Sequence, residues 1–158
     1  MKPQLIKHLR FITLTVIINV ILSLGLAYLS HYYFNGIAEK NTMQWNSGIE
    51  EIFIVVILAP FIETLFLQTV PYQLLSYASN SLNLKVKTHH SIYIFLSSVL
   101  FAAMHTYNWL YCLGAFIGGL TLNYSYVYFK KQKFYPYLSV VSIHLLYNLA
   151  VLVLKTNF

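Results

Sequence analysis

The chain contains no aspartate, only one arginine and only one cysteine. Without aspartate, a Ser-His-Asp relay cannot be assembled. Cys112 has no second thiol for an internal disulfide or a cysteine-based metal site, and reads as a small apolar helix residue. There is no G-x-S-x-G, no H-E-x-x-H and no glycine-rich phosphate loop, which sets aside three common catalytic frameworks. Charge is scarce as well: 9% of residues are charged, against about 25% in soluble domains. What remains is apolar, with 58% hydrophobic residues and a mean hydropathy of +0.63. A membrane span needs roughly 20 mostly apolar residues, and long apolar runs recur from end to end. These features predict an all-α, polytopic membrane helical bundle built as one domain, residues 1–158. The chain is too short for a separate soluble domain of ordinary size.

Five spans are expected, near 11–33, 49–78, 91–105, 109–129 and 136–154. The second is long enough to require tilting or breaking. MKPQLIKHLR precedes the first run without an A-x-A-like cleavage site, so that span is expected to be retained. The net charge of +6 does not point to nucleic acid, because the cations sit in short segments between apolar runs. With the N-terminus inside, Lys2, Lys7, Arg10, Lys85, Lys87, Lys130, Lys131 and Lys133 are cytoplasmic, and only Lys40 and Lys155 are outside. The positive-inside rule then places the C-terminus, Phe158, outside the cell membrane. Tyr124, Tyr126 and Tyr128 read as an inner interfacial belt, and Tyr107, Trp109 and Tyr111 as part of an outer one. Gly114 and Gly118 form a GxxxG, followed by Gly119, that suits close helix packing within the chain.

Of the four carboxylates, Glu39, Glu50 and Glu51 lie at or beyond a membrane edge, and Glu63 alone lies deep in a span. A charge near the bilayer centre costs roughly 3 kcal/mol on insertion scales and usually marks a pathway or a reaction site. The bland alternative is a protonated Glu hydrogen-bonded inside a bundle. His105 ends Phe101-Ala-Ala-Met-His105, and His144 begins His144-Leu-Leu-Tyr-Asn148. The spacing of four puts Phe101 with His105, and His144 with Asn148, on one helical face. A lone membrane histidine is most often a packing residue, but these groups together could activate a water and stabilise an oxyanion. Glu63 and the two histidines could equally be three zinc ligands with one open position, and spacing does not choose between the two. By counting, Glu63 and His144 sit near mid-span and His105 near an outer end. Either the third helix is short and opens into a wet cavity, or its boundary lies elsewhere. His8, His31, His89 and His90 fall at span ends and are expected to be interfacial.

The order of a span glutamate, F-x-x-x-H and H-x-x-x-N resembles the CPBP family of CAAX proteases and bacteriocin-processing membrane enzymes. APFIETLFLQ is similar to its first motif, FAAMH to its second and HLLYN to its third, with residues 49–154 as the protease-like core. The resemblance implies intramembrane endopeptidase activity on a membrane-associated peptide or protein. It assigns Glu63 and His105 to water activation, and His144 and Asn148 to the oxyanion. It implies no required cofactor for a glutamate mechanism; zinc, if used, would be held by Glu63, His105 and His144. The usual first motif continues A-P-x-x-E-E-x-x-x-R, whereas Thr64 and Gln68 stand in the last two charged places. Losing one half of such a buried pair would cost roughly 3–5 kcal/mol. Losing both leaves room for a Thr64–Gln68 hydrogen bond beside the site, with Phe101 as a further supporting residue. The alternative reading is a catalytically impaired relative that binds a peptide or confers bacteriocin immunity. Expected partners are membrane lipid and the substrate; no nucleic acid is expected, and the chain is expected to be a monomer.

Overall fold

The computed structural model describes residues 3–37 and 45–157. Lys2, Glu39, Lys40 and Phe158, which carry part of the topology argument, lie outside the described residues. The described residues form five long helices and no strand: α1 Pro3–Tyr33, α2 Gly48–Ser81, α3 Val86–Ala103, α4 Trp109–Lys131 and α5 Pro136–Asn157. By length and hydropathy alone, α1, α2 and α5 can cross a membrane. The other two, α3 and α4, form the most extensive helix pair in the bundle.

The distribution of polarity is the reverse of a soluble core. Leu14, Ile17, Ile18 and Ile21 of α1 point outward, while Thr15 and Asn19 are buried. Ser97, Ser98, Asn123 and Ser125 are also buried in the centre. Lipid gives no hydrophobic drive between helices, so polar links and close approach hold such a bundle together. Asn19 accepts from the Thr121 hydroxyl at 2.7 Å, joining α1 to α4, and the Ser23 and Tyr147 hydroxyls meet at 2.5 Å, joining α1 to α5. Close approach comes at Gly119, where a Cβ would lie 3.1 Å from the Cα of Ser98 in α3. Gly114 faces Leu26 of α1, and nothing lies near Gly118, so Gly119 rather than the GxxxG pair sets the α3–α4 distance.

Two expectations about aromatic and histidine positions need correction. Tyr126 is buried and packs against Tyr72 and Tyr93, so it belongs to the core rather than to an interfacial belt. His8 and His89 are buried too. His8 stacks on Phe134 at 4.0 Å, and His89 bonds to Ser79 at 2.9 Å.

The long α2 is continuous, but two stretches of it are wound as π-helix, Ile52–Leu58 and Thr64–Thr69. Proline explains where carbonyls are left over. Ala59 N–H bonds Ile54 O, five residues back, and the residue five beyond Val55 is Pro60, which has no N–H. Val55 O therefore has no donor in its own helix and accepts from Asn148 Nδ2 of α5 at 2.8 Å. In the second stretch, Pro71 takes the place of the α-helical donor to Leu67 O, which accepts instead from Ser97 Oγ of α3. The neighbouring Gln68 O lies 3.1 Å from the Tyr93 hydroxyl, which also reaches Asn123 Oδ1 at 2.9 Å. Glu63 sits between the two wound stretches, at the end of Ala59–Glu63.

Candidate active site

Glu63, His105 and His144 come from α2, the turn after α3, and α5, and they meet. Glu63 Oε2 is 3.9 Å from His105 Nε2 and 3.8 Å from His144 Nε2. These separations exceed a direct hydrogen bond of about 2.7–3.2 Å but are short enough for one water to touch all three groups. Glu63 Oε2 is buried and has no hydrogen-bond partner among the described residues. A buried acceptor of that kind is costly to leave unserved.

His105 explains the depth mismatch in the sequence. Helix α3 ends at Ala103, so His105 is not on the helix face that the spacing of four suggested. Its N–H closes a tight turn onto Ala102 O at 2.9 Å, and its ring folds back toward Phe101. Nδ1 lies 2.7 Å from Phe101 O, and a carbonyl can only accept, so Nδ1 carries the proton. In the neutral ring, the Nε2 lone pair then faces Glu63. The Phe101 ring stacks on His105 at 4.6 Å and lies 5.8 Å from His144, so Phe101 supports both histidines. His144 is buried, and its Nδ1 has no partner among the described residues.

Asn148 lies one turn beyond His144, but one of its N–H groups is committed to Val55 O. The expected Thr64–Gln68 hydrogen bond does not form. Both residues are fully buried, yet Thr64 Oγ1 and both polar atoms of the Gln68 amide lack partners among the described residues. The backbone there is π-wound, its hydrogen bonds closing at five residues rather than four. Sequence reasoning also passed over Tyr111 by assigning it to an interfacial belt. Its ring lies 6.0 Å from that of His105 at 26°. The signal for it was its position one turn into α4, directly after the loop that carries His105.

The donor set of two histidines and a glutamate is chemically that of a catalytic zinc site. Zinc bonds of 2.0–2.1 Å would bring tetrahedral ligand atoms to roughly 3.3 Å of one another, closer than the 3.8 and 3.9 Å observed. Among the described residues, no group of three or more His, Cys, Asp or Glu is placed to hold a metal ion. The residues as placed do not close around a metal.

A family model described as type II CAAX prenyl endopeptidase, Rce1-like, matches residues 45–150, about two-thirds of the chain. The chain belongs to the Rce1-like family. Searches of curated proteins and of solved structures return no significant match. The Rce1-like match runs from just before α2 into α5 and includes Glu63, His105, His144 and Asn148. Membership makes this a membrane protein of an endopeptidase family, a class that works on peptide in a lipid environment.

Proposed function

We propose that the chain is an intramembrane endopeptidase that hydrolyses a peptide bond in a membrane-associated peptide or protein. The observation that carries this is the approach of Glu63, His105 and His144 to within 3.9 Å from three separate segments. In the proposed reaction, a water sits between Glu63 Oε2 and His105 Nε2. Glu63 takes its proton as the oxygen attacks the carbonyl carbon of the substrate. The carbonyl π electrons move onto oxygen, and the oxyanion accepts hydrogen bonds from His144 Nε2–H and from an Asn148 N–H. His144 must carry its proton on Nε2 to do this, and Asn148 must use the N–H that does not hold Val55 O. As the carbon–nitrogen bond breaks, Glu63 returns its proton to the leaving amine. The protein-only mechanism needs no cofactor, so chelator is expected to leave activity unchanged.

The remaining parts of the reading are also our proposal. Residues 49–154 form the protease-like core of a single membrane domain. The cation-rich end, with Lys85, Lys87, Lys130, Lys131 and Lys133, faces the cytoplasm. The chain acts as a monomer and takes no nucleic acid. Reporter fusions at Gln132 and Phe158 are expected on opposite sides of the membrane; the same side for both would reject this topology.

A second reading has its own support. Three unpartnered polar atoms on Thr64 and Gln68 lie directly after Glu63. That suits an impaired relative that binds peptide or confers immunity without cleaving. The deciding test is Glu63→Gln, which keeps shape and removes the base. Loss of a general base lowers rate about 10²–10⁴-fold, so proteolysis is expected to vanish while membrane insertion persists. Equal performance of wild type and Glu63→Gln at matched expression, in peptide maturation or immunity, would replace the enzyme by the binding protein.

A further inference from the structure

We infer that Tyr111 is a positioning residue: its ring, together with that of Phe101, clamps the His105 imidazole so that Nε2 stays directed at Glu63. His105 lies beyond the end of α3, so no helix holds its side chain. The ring's hydrogen bond, Nδ1 to Phe101 O, fixes the tautomer but leaves the ring free to turn about the axis of that bond. Two near-parallel rings oppose the turning, Phe101 at 4.6 Å and 20°, and Tyr111 at 6.0 Å and 26°. Nε2 lies roughly 0.7 Å off that axis, so a turn of about 90° would carry it about 1 Å from its place, a displacement of the size that costs about 10²-fold in rate.

The outer jaw of the clamp is itself held. Tyr111 N–H donates to the N-cap Asn108 Oδ1 at 2.8 Å, and Asn108 Nδ2 donates to Ile37 O, beyond α1, at 2.9 Å. Next in sequence, Cys112 Sγ contacts Ala102 O at 3.5 Å, tying the start of α4 to the end of α3. Tyr107 packs edge-on against the Tyr111 ring at 5.0 Å and 86°. Phe101 is within the family-like F-x-x-x-H, whereas Tyr111 belongs to none of the three motifs.

The inference rests on the hydrolytic reading for its kinetic arm only. The full chain in lipid nanodiscs is compared as wild type, Tyr111→Phe, Tyr111→Met and Tyr111→Leu. The planar ring is the working part, so Tyr111→Phe is expected to keep near-wild-type kcat. Tyr111→Met and Tyr111→Leu are expected to lose about 10²-fold in kcat with KM little changed. A second measurement does not need proteolysis. The rate at which diethyl pyrocarbonate carbethoxylates His105, followed by mass spectrometry, is expected to rise in the Met and Leu variants and stay unchanged in Phe. Buried His89, at the far end of α3, serves as the folding control, and one of the two non-planar variants suffices if the other misfolds. Equal His105 labelling in all four proteins would overturn the clamp, as would a Phe variant as impaired as Leu. If wild type cleaves nothing, the labelling arm alone decides, and the failure then belongs to the hydrolytic reading.

Discussion

The two π-wound stretches of α2 flank Glu63, and in each a carbonyl whose helical donor position falls at a proline accepts from another helix, but the donors come from different sides. In Ile52–Leu58 the orphan is Val55 O, and one donor, Asn148 of α5, serves it. In Thr64–Thr69, Leu67 O and Gln68 O are served by Ser97 and Tyr93 of α3. Tyr93 in turn reaches Asn123, which donates to Ser98 at 3.1 Å. The first repair is a single bond from a residue that is also a candidate oxyanion donor. The second is a connected network deep in the α3–α4 core. The same backbone device is therefore adjustable on one side of the glutamate and anchored on the other.

Breaking the single bond should have the largest effect. Asn148→Ala is expected to slow hydrolysis about 10²-fold and to lower stability by about 1–3 kcal/mol, because Val55 O is left unserved. Kinetics and unfolding in one lipid mixture separate the two; a stability loss with full activity would make Asn148 a structural donor only. Next comes the network. Tyr93→Phe removes the hydroxyl shared by Gln68 O and Asn123, and is expected to cost about 1–2 kcal/mol with kcat intact. A drop in kcat of the Asn148→Ala size would erase the distinction between the two stretches. Pro60→Ala sharpens the first repair by giving residue 60 an N–H able to reach Val55 O. Asn148→Ala should then cost less in stability, with a coupling of about 1 kcal/mol in a double-mutant cycle; strict additivity would dissociate Pro60 from the orphaned carbonyl. The smallest effect is expected from Thr64→Val, which removes a buried hydroxyl without a partner. Stability should rise by up to about 1 kcal/mol, and a clear loss would mean the hydroxyl is served after all.

The helices were legible because lipid demands long apolar runs, which α1, α2 and α5 show by length and hydropathy and α3 and α4 do not. Their ends were less so: α3 stops at Ala103 because the chain turns at Met104 and His105. Glu63, His105 and His144 stood out as ionisable groups in apolar sequence, and the chain does bring them together. The Thr64–Gln68 bond was expected on α-helical spacing; the stretch that carries both residues is π-wound, and the bond is not made. Pro60 and Pro71 could have signalled that winding, since each removes a donor from the helix that contains it. Tyr126 was misplaced because aromatic residues next to a lysine run look interfacial whichever way the helix is turned.

The link between Asn19 and Thr121 has a consequence for biosynthesis. The two residues are 102 positions apart, and a ribosome adding about 5–20 residues per second needs roughly 5–20 s to make the second after the first. For that interval α1 waits in the bilayer with an asparagine whose final partner does not yet exist. Its amide N–H is already occupied by Thr15 O at 2.9 Å, one turn earlier in the same helix. The nascent span thus carries its own temporary partner for half of the side chain, and only the Oδ1 acceptor has to wait for α4 to arrive.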